Sequence, residues 1–190
     1  MCGSTIVFPA MTCGSGCPMV KSWVQGGRQQ KQATAAQETV SSLSQVVRMS
    51  WGSDAYREAT SHGASSSKFQ SIITPTLQKL GYVPESRNKV ADAAFKPDFI
   101  LLSKVDGVMI EVERGKTIDN NMDMLDMWKC HIHPVANHLI LLVPIWYVKI
   151  NSKTGKETRA ATFARVCKRM QPFFEPGNET NVHSLHVMGY

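Results

Sequence analysis

The sequence predicts an α/β fold in which a mixed β-sheet is flanked by helices. Three observations support this class: a helical pattern over residues 65–81, an alternating hairpin over 99–113, and a continuous apolar run from Leu139 to Val143. Along the chain we expect a helix, a hairpin, a helix, a strand, a helix and a last strand. That alternation of element types is typical of a sheet covered by helices.

The chain has 190 residues, of which 43% are hydrophobic and 19% charged, and this suits one globular domain or one domain with an extension. No apolar run approaches the ~18 residues that a membrane helix needs, so we expect no membrane partner. The first twenty residues lack Lys and Arg, and the cysteine count is odd. We therefore expect no secretory signal, reduced thiols, and an intracellular location in the cytoplasm or nucleoid.

Residues 1–60 are predicted to form an N-terminal extension, partly irregular and partly helical. Residues 1–30 show little periodicity, whereas a weak helical pattern runs from Gln32 to Met49. Cys13 and Cys17 could bind a metal only with two further ligands nearby, and free thiols are the favoured interpretation. The main domain is predicted to comprise residues 61–190.

The first helix of that domain is predicted to begin after Ser65 and to end before Gly81. The run Ser65-Ser66-Ser67 offers an N-cap, and Gly81 suits the left-handed residue that follows a helix. Pro75 predicts a kink or a restart within the helix. The apolar positions of this helix recur at helical spacing: Phe69, Ile72, Ile73, Leu77 and Leu80.

A hairpin is predicted from two apolar strands that are joined through Asp106-Gly107, a pair that favours tight turns. The second strand alternates, with Val108, Ile110 and Val112 on one side and Met109, Glu111 and Glu113 on the other. Glu111 and Glu113 therefore share one face. Like charges so close together repel, unless a bound cation or a raised pKa relieves them.

Four further elements follow the hairpin. Asn120-Asn121 is placed to cap a helix that ends before Pro134, and residues 139–143 predict a strand buried on both faces. A helix is predicted over 160–170 and a last strand over 182–187. The acidic side of the first of these helices carries Asp119, Asp123 and Asp126.

The charge is unevenly distributed along the chain. The formal net charge is +6, which alone is a weak sign of a polyanionic partner. Residues 91–130 hold eight acidic and five basic residues, whereas 131–190 hold seven basic and three acidic residues. An acidic centre in a basic chain is expected where carboxylates hold metal ions and basic residues hold a nucleic-acid backbone, although a solvated charged face is the simpler alternative.

The candidate site lies on the predicted hairpin. Asp98 begins one strand and Glu111 and Glu113 stand on its partner, so the three carboxylates can converge. Such hard oxygen ligands suit Mg²⁺ or Mn²⁺. One or two of these ions can lower the pKa of an attacking water and stabilise the leaving oxygen at a phosphorus atom.

These residues resemble the motif of the PD-(D/E)XK superfamily, metal-dependent nucleases with the restriction-endonuclease-like fold. Pro97-Asp98 matches the PD pair, and Glu111-Val112-Glu113 falls where the family has (D/E)-x-K. Glu113 replaces the Lys, a variant that is similar to type II restriction enzymes whose motif ends in Glu. The resemblance covers about residues 65–148 and does not extend to the first 60 residues.

The resemblance implies a role for each matching residue. Asp98 and Glu111 would bind the metal, with the carbonyl of Val112 as a further ligand. Glu113 would hold or deprotonate the attacking water, and Lys116 could replace the missing Lys as a fourth catalytic residue. Many members also carry a helical Glu before the hairpin, where this chain has Gln70. The fourth acid therefore stays open, with Glu58 and Glu85 as alternatives that the spacing does not favour.

Basic residues are expected to bind the DNA backbone. Arg114 and Lys116 follow the motif, and a basic stretch runs from residue 149 to 169. Within this stretch the predicted DNA ligands are Lys149, Lys153, Lys156 and Arg159. Phosphate contacts of this kind supply affinity without sequence preference.

The function that the sequence predicts is a Mg²⁺-dependent DNA endonuclease, acting as a homodimer because two-fold symmetry matches the two strands of a duplex. Two alternatives stay open: a nucleic-acid-binding protein of the same fold that does not cleave, and an assembly factor whose acidic hairpin docks a basic partner. Cys130, His131 and His133 could bind zinc, although a helix end packed against the core is favoured for them.

Overall fold

The computed structural model describes residues 18–25, 34–85, 96–103, 106–115, 117–151 and 153–190. In chain order, the elements are β1 (Met19–Val24), α1 (Thr34–Ser50), α2 (Asp54–Thr60), α3 (Ser66–Lys79), β2 (Val83–Pro84), β3 (Phe99–Leu101), β4 (Gly107–Val112), α4 (Met122–Ile132), β5 (Ala136–Val143), β6 (Tyr147–Ile150), β7 (Glu157–Ala160), α5 (Thr162–Met170) and β8 (Ser184–Gly189), with a 3₁₀ turn at Gln171–Phe174 between the last two.

The main sheet has six strands in the order β1-β8-β5-β4-β3-β2. Its centre is parallel, since β4 pairs with β5 and β5 with β8 in the same direction, whereas β1, β3 and β2 join antiparallel at the edges. Strands β6 and β7 form a separate hairpin. A mixed sheet flanked by helices confirms the predicted α/β class.

The sheet divides the core into two layers. Alternate residues of β4 point to opposite faces, so Val108, Ile110 and Val112 pack beneath α1, α2 and α3, while Met109 packs with the residues of α4 and α5. The central strand β5 contributes to both layers and is buried along nearly its whole length. Glu111 and Glu113 share the face of Met109, and they therefore point toward α4.

Helix α3 differs from expectation at Pro75, where the helix continues without a break. Pro75 lies on the exposed side, so water can satisfy the Ser71 carbonyl that loses its helical partner. Gly81 follows the C-cap with φ +86°, as predicted. Ser65 is the N-cap, although its hydroxyl bonds to Ser67 Oγ at 2.7 Å and not to the backbone.

The described parts of residues 1–60 belong to the same core as the rest of the chain. β1 pairs with β8 over six residues, and Trp23 is buried. α1 buries Ala36, Leu43 and Val47 against the sheet. Strand β1 was not expected, since residues 1–30 show little periodicity and an edge strand is fixed by pairing with a neighbour that is distant in sequence. Cys13 and Cys17 lie outside the described residues.

The helices in the described ranges include none with the length and apolar character that crossing a membrane requires.

We predict that Leu43→Ala destabilises the whole domain. Leu43 is fully buried, and truncation of a buried leucine costs about 2–5 kcal/mol of unfolding free energy. The matched control is Met49→Ala on the same helix, because Met49 is 77% exposed. Urea denaturation should give one transition with a lowered midpoint for Leu43→Ala alone. If α1 were an independent extension, the main transition would stay at its wild-type midpoint.

Candidate metal centre

The β3–β4 pairing brings Asp98 and Glu111 together. Phe99 lies opposite Ile110, so the residue before β3 meets the end of β4. The Val112 N–H donates to Asp98 Oδ2 at 2.7 Å, and the Asp98 N–H donates to Glu111 Oε2 at 3.3 Å. The convergence of carboxylates that the hairpin predicts is therefore present at the carboxyl end of β4.

Helix α4 adds two residues to this cluster that the sequence analysis did not assign to it. Lys129 Nζ lies 3.0 Å from Glu111 Oε1 and 2.9 Å from Asp126 Oδ1. Asp126 is fully buried, and it supplies the fourth acid of the site. The sequence did contain a signal for both residues. Asp126 and Lys129 are three positions apart on α4, and each directly precedes a core residue, Met127 and Cys130, so both lie next to the buried side of the helix.

The alternative fourth acids have exposed side chains. Glu58 pairs with Lys68, whose Nζ lies 2.6 Å from Glu58 Oε1. Glu85 follows β2 beside Asp98, since its N–H donates to the Asp98 carbonyl at 2.9 Å, and its charge raises the pKa of Asp98, but its side chain is exposed. We therefore place the fourth acid on α4 and not on the helix before the hairpin.

Ion pairs and hydrogen bonds fix α4 and the end of β4, two elements that carry the carboxylates. At the start of α4, Asp123 Oδ2 lies 3.1 Å from Arg169 Nε, and Arg169 also donates to Asn121 Oδ1 at 2.7 Å. At the end of β4, Tyr190 Oη donates to the Glu113 carbonyl at 2.8 Å. The positions of the carboxylates are therefore fixed by packed elements, as a preorganised site requires.

Burial raises the pKa of every carboxyl in the cluster. It raises the pKa of Glu111 well above its ordinary value, and that of Glu113 to about 8, with further increases from the charge of Asp126. A hydrogen bond between the Glu113 and Asp126 carboxyl groups, which requires a proton on one of them, raises the pKa of Glu113 further.

Lys129 is the cation of the cluster. Burial alone would lower its pKa, but the charges of Glu111 and Asp126 outweigh burial and raise it, so the ammonium stays charged. Among the described residues one ammonium faces four carboxyl groups, and the remaining negative charge favours protons or a further cation. Clustered oxygen ligands with excess negative charge fit Mg²⁺ or Mn²⁺. The donor set therefore fits the metal that the motif implies.

A cleft of about 540 Å³ opens beside Glu113. Its walls include the end of β4, the start of α3 at Ser65 and Ser66, and Tyr147 of the β6–β7 hairpin. The first N–H groups of a helix have no partner within the helix and attract anions. Of the four carboxyl groups, that of Glu113 lines this cleft, so through Glu113 the cluster reaches a surface that suits a phosphate.

The predicted basic residues differ in their surroundings. Arg114 donates to the carbonyls of Ala59 at 2.6 Å and Ser61 at 2.7 Å, and so satisfies the C-terminal end of α2. Lys116 lies outside the described residues. A DNA-binding role stays a prediction for both residues, and Arg114 has a structural role in addition.

The basic residues of the β6–β7 hairpin are exposed. Lys149 pairs with Asp119 at 2.6 Å and Arg159 with Glu157 at 2.8 Å, exposed contacts that contribute little free energy. Lys153 and Lys156 make no ion pair within the described ranges. All four remain accessible to a phosphate backbone.

The end of α4, with Cys130, His131 and His133, is held by contacts within the protein, as expected for a helix end packed against the core. Cys130 is buried in the core, and His131 stacks on Trp128 with ring centroids 5.1 Å apart. His133 Nδ1 accepts a hydrogen bond from the Val135 N–H at 3.3 Å. These contacts account for the three residues without a metal.

Comparison with known proteins gives no assignment, since no family model matches the chain and no curated protein matches its sequence. The function must be inferred from the chemistry of the site.

We predict that Glu113→Gln stabilises the metal-free protein at pH 7 by about 1–3 kcal/mol. The folded state keeps a proton on Glu113, whose pKa is about 8, while the unfolded state releases it above the ordinary glutamate pKa of 4.5. Wild type therefore gains stability relative to the variant as the pH falls from 8 to 5. Urea denaturation across this range, with EDTA present, measures the difference.

The control is Glu157→Gln on β7, where the carboxylate is exposed. This substitution should leave the unfolding free energy within about 0.5 kcal/mol of wild type. A Glu113→Gln protein that is less stable than wild type at pH 7 would show that the carboxylate is accommodated as an anion in the folded state.

Proposed function

We propose that this protein is a Mg²⁺-dependent DNA endonuclease of the PD-(D/E)XK type, with Mn²⁺ as an alternative ion. The main support is the buried cluster of Asp98, Glu111, Glu113, Asp126 and Lys129 beside an open cleft. Grouped carboxyl groups whose pKa values are raised by burial do not stabilise the fold. Such groups cluster at functional sites, and a metal-dependent site uses grouped carboxylates as ligands.

Asp98 and Glu111 are the proposed metal ligands. Asp98 Oδ2 accepts from the Val112 N–H, and Glu111 Oε1 accepts from Lys129. Glu111 Oε2 accepts only the long 3.3 Å bond from the Asp98 N–H, so its second lone pair and Asp98 Oδ1 are the proposed donors to a cation. The carbonyl of Val112 stands at the same strand end. A bound Mg²⁺ would polarise the scissile phosphate and lower the pKa of the attacking water.

Glu113 and Lys129 are the proposed proton acceptor and cation. Burial raises the pKa of Glu113 to about 8 in the metal-free protein, so Glu113 holds a proton there at pH 7. A bound cation would favour the ionised carboxylate, which lines the cleft and would then accept a proton from water. Lys129 replaces the positive charge that the motif lacks at Glu113, since its ammonium contacts Glu111 from α4. Lys116 follows the motif closely in sequence and stays a second candidate for this charge.

The DNA backbone would enter through the cleft. The start of α3 offers N–H groups to a phosphate, and Tyr147 connects the cleft to the basic β6–β7 hairpin. Cleavage of both strands would require two sites, and a homodimer supplies them with the symmetry of the duplex. A DNA substrate would be met inside the cell, in the cytoplasm or nucleoid.

We predict that Asp98→Asn and Glu111→Gln each abolish plasmid cleavage in Mg²⁺. Both changes keep the shape of the side chain and remove the charge that holds the cation. The matched control is Asp54→Asn, because the Asp54 side chain is fully exposed on α2. Cleavage is measured on agarose gels, and Mn²⁺ binding to the same proteins by isothermal titration calorimetry.

Two outcomes would contradict the proposal. Cleavage that survives both substitutions would exclude the cluster as the active site. DNA binding by wild type without cleavage and without Mn²⁺ binding would favour the nucleic-acid-binding protein that does not cleave.

We predict that the double variant Lys153→Ala, Lys156→Ala lowers the salt dependence of DNA binding. Each lost phosphate contact reduces the slope of log K against log salt by about 0.9. The control is Lys79→Ala, since Lys79 is exposed at the far end of α3 from the cleft. Fluorescence anisotropy with a labelled duplex measures both slopes. An unchanged slope in the double variant would exclude the hairpin from the DNA interface.

A further inference from the structure

A second group of potential metal ligands lies at the other end of the central strands, where the parallel strands begin. Asp106 directly precedes β4, His138 lies in β5, and His183 directly precedes β8. One ligand atom from each lies within 4.8 Å of the others. Asp106 is five residues before Glu111 along an extended strand, which corresponds to about 17 Å. This group is therefore separate from the carboxylate cluster.

The backbone fixes all three residues. The parallel strands β4, β5 and β8 all begin at the same end of the sheet. A Cβ at Gly107 would collide with the Val135 carbonyl, so only glycine lets the chain at Asp106 pass this close to β5. The His183 N–H donates to the Asn137 carbonyl at 2.6 Å. The three side chains are thus held together by strand pairing.

The closest pair of ligand atoms has the spacing of a metal site. His138 is 2% exposed, and its Nε2 lies 3.6 Å from Asp106 Oδ1. Neither atom has a hydrogen-bond partner within the described part of the chain. A separation of 3.6 Å is too long for a hydrogen bond. Two ligands on a tetrahedral zinc ion lie about 3.4 Å apart, given metal–ligand distances near 2.1 Å.

A chain of buried hydrogen bonds orients the His138 ring. His138 Nδ1 lies 2.7 Å from Ser184 Oγ, which lies 3.2 Å from His186 Nε2, and His186 Nδ1 lies 2.8 Å from Ser22 Oγ. These residues face one another across β5, β8 and β1. If the His138 Nδ1–H donates into this chain, the Nε2 lone pair faces Asp106. Metal-binding histidines use their second nitrogen in this way.

We propose that Asp106, His138 and His183 bind one Zn²⁺ ion, which connects the β3–β4 turn to the starts of β5 and β8. Two imidazoles and a carboxylate favour zinc and its transition-metal neighbours over Mg²⁺. Three protein ligands leave one position of a tetrahedral ion for water. Burial lowers the pKa of His138, and the neutral ring that results is the form that binds metal.

The test uses the full chain, stripped of metal with a chelator and titrated with Zn²⁺ by calorimetry and with Co²⁺ by visible absorption. We expect one site with a tetrahedral Co²⁺ spectrum and no thiolate charge-transfer band. Asp106→Asn should weaken binding by at least about 100-fold, since substitutions of outer-shell partners alone cost about 10- to 100-fold. Ser184→Ala should weaken it by about 10-fold. Circular dichroism checks that both variants are folded.

Two further variants separate this site from other ligands in the chain. Asp98→Asn alters the carboxylate cluster, and the triple variant Cys2→Ser, Cys13→Ser, Cys17→Ser removes the thiols outside the described residues. Both should retain wild-type Zn²⁺ affinity. The proposal is overturned if wild type does not bind Zn²⁺ at 100-fold excess over protein, or if Asp106→Asn binds it as wild type does. Loss of binding in either control variant would assign the ion to that other site.

Discussion

Among the described residues, four buried or half-buried carboxyl groups surround one ammonium group, and the proposed function depends on this imbalance of charge. Like charges in a poorly solvated site are relieved by protons, by a basic side chain or by a bound cation. Lys129 relieves Glu111 and Asp126, and a proton shared between Glu113 and Asp126 relieves the remainder in the absence of metal. A divalent ion would replace that proton.

The surrounding fold serves to keep this cluster in place. The register of β3 against β4 sets Asp98 beside Glu111, and the pairing of Asp123 with Arg169 fixes the helix that carries Asp126. Grouping carboxyl groups in this way lowers the stability of the folded protein, a cost that is common at functional sites. Compensation comes from the two apolar layers on either side of the sheet, to which α1 and β1 also contribute.

Local patterns were sufficient for part of the site. Alternation along β4 predicts that Glu111 and Glu113 share a face, and Asp106-Gly107 predicts the hairpin that brings Asp98 near them. The sequence analysis grouped Asp126 with an acidic helix side but did not assign it to the cluster. Which face of α4 meets the sheet is decided by tertiary packing, and this packing buries Asp126 and brings Lys129 to Glu111.

Features set by long-range pairing could not be predicted in this way. Strand β1 has no clear alternation, and its position is set by β8, more than 150 residues later. Asp106, His138 and His183 are widely separated in sequence. They meet only because three parallel strands begin at the same end of the sheet. The polar character of β8 at Ser184 and His186 similarly acquires meaning only beside His138 and Ser22.

The central claim is that the carboxylate cluster binds a divalent cation between Asp98 and Glu111. Anomalous X-ray scattering from crystals grown with Mn²⁺ tests it most directly. We expect an anomalous difference peak within coordination distance of Asp98 Oδ1 and Glu111 Oε2, about 2.2 Å from each. The absence of a peak at this position, with Lys129 still paired to Glu111 and Asp126 in saturating Mn²⁺, would contradict the claim.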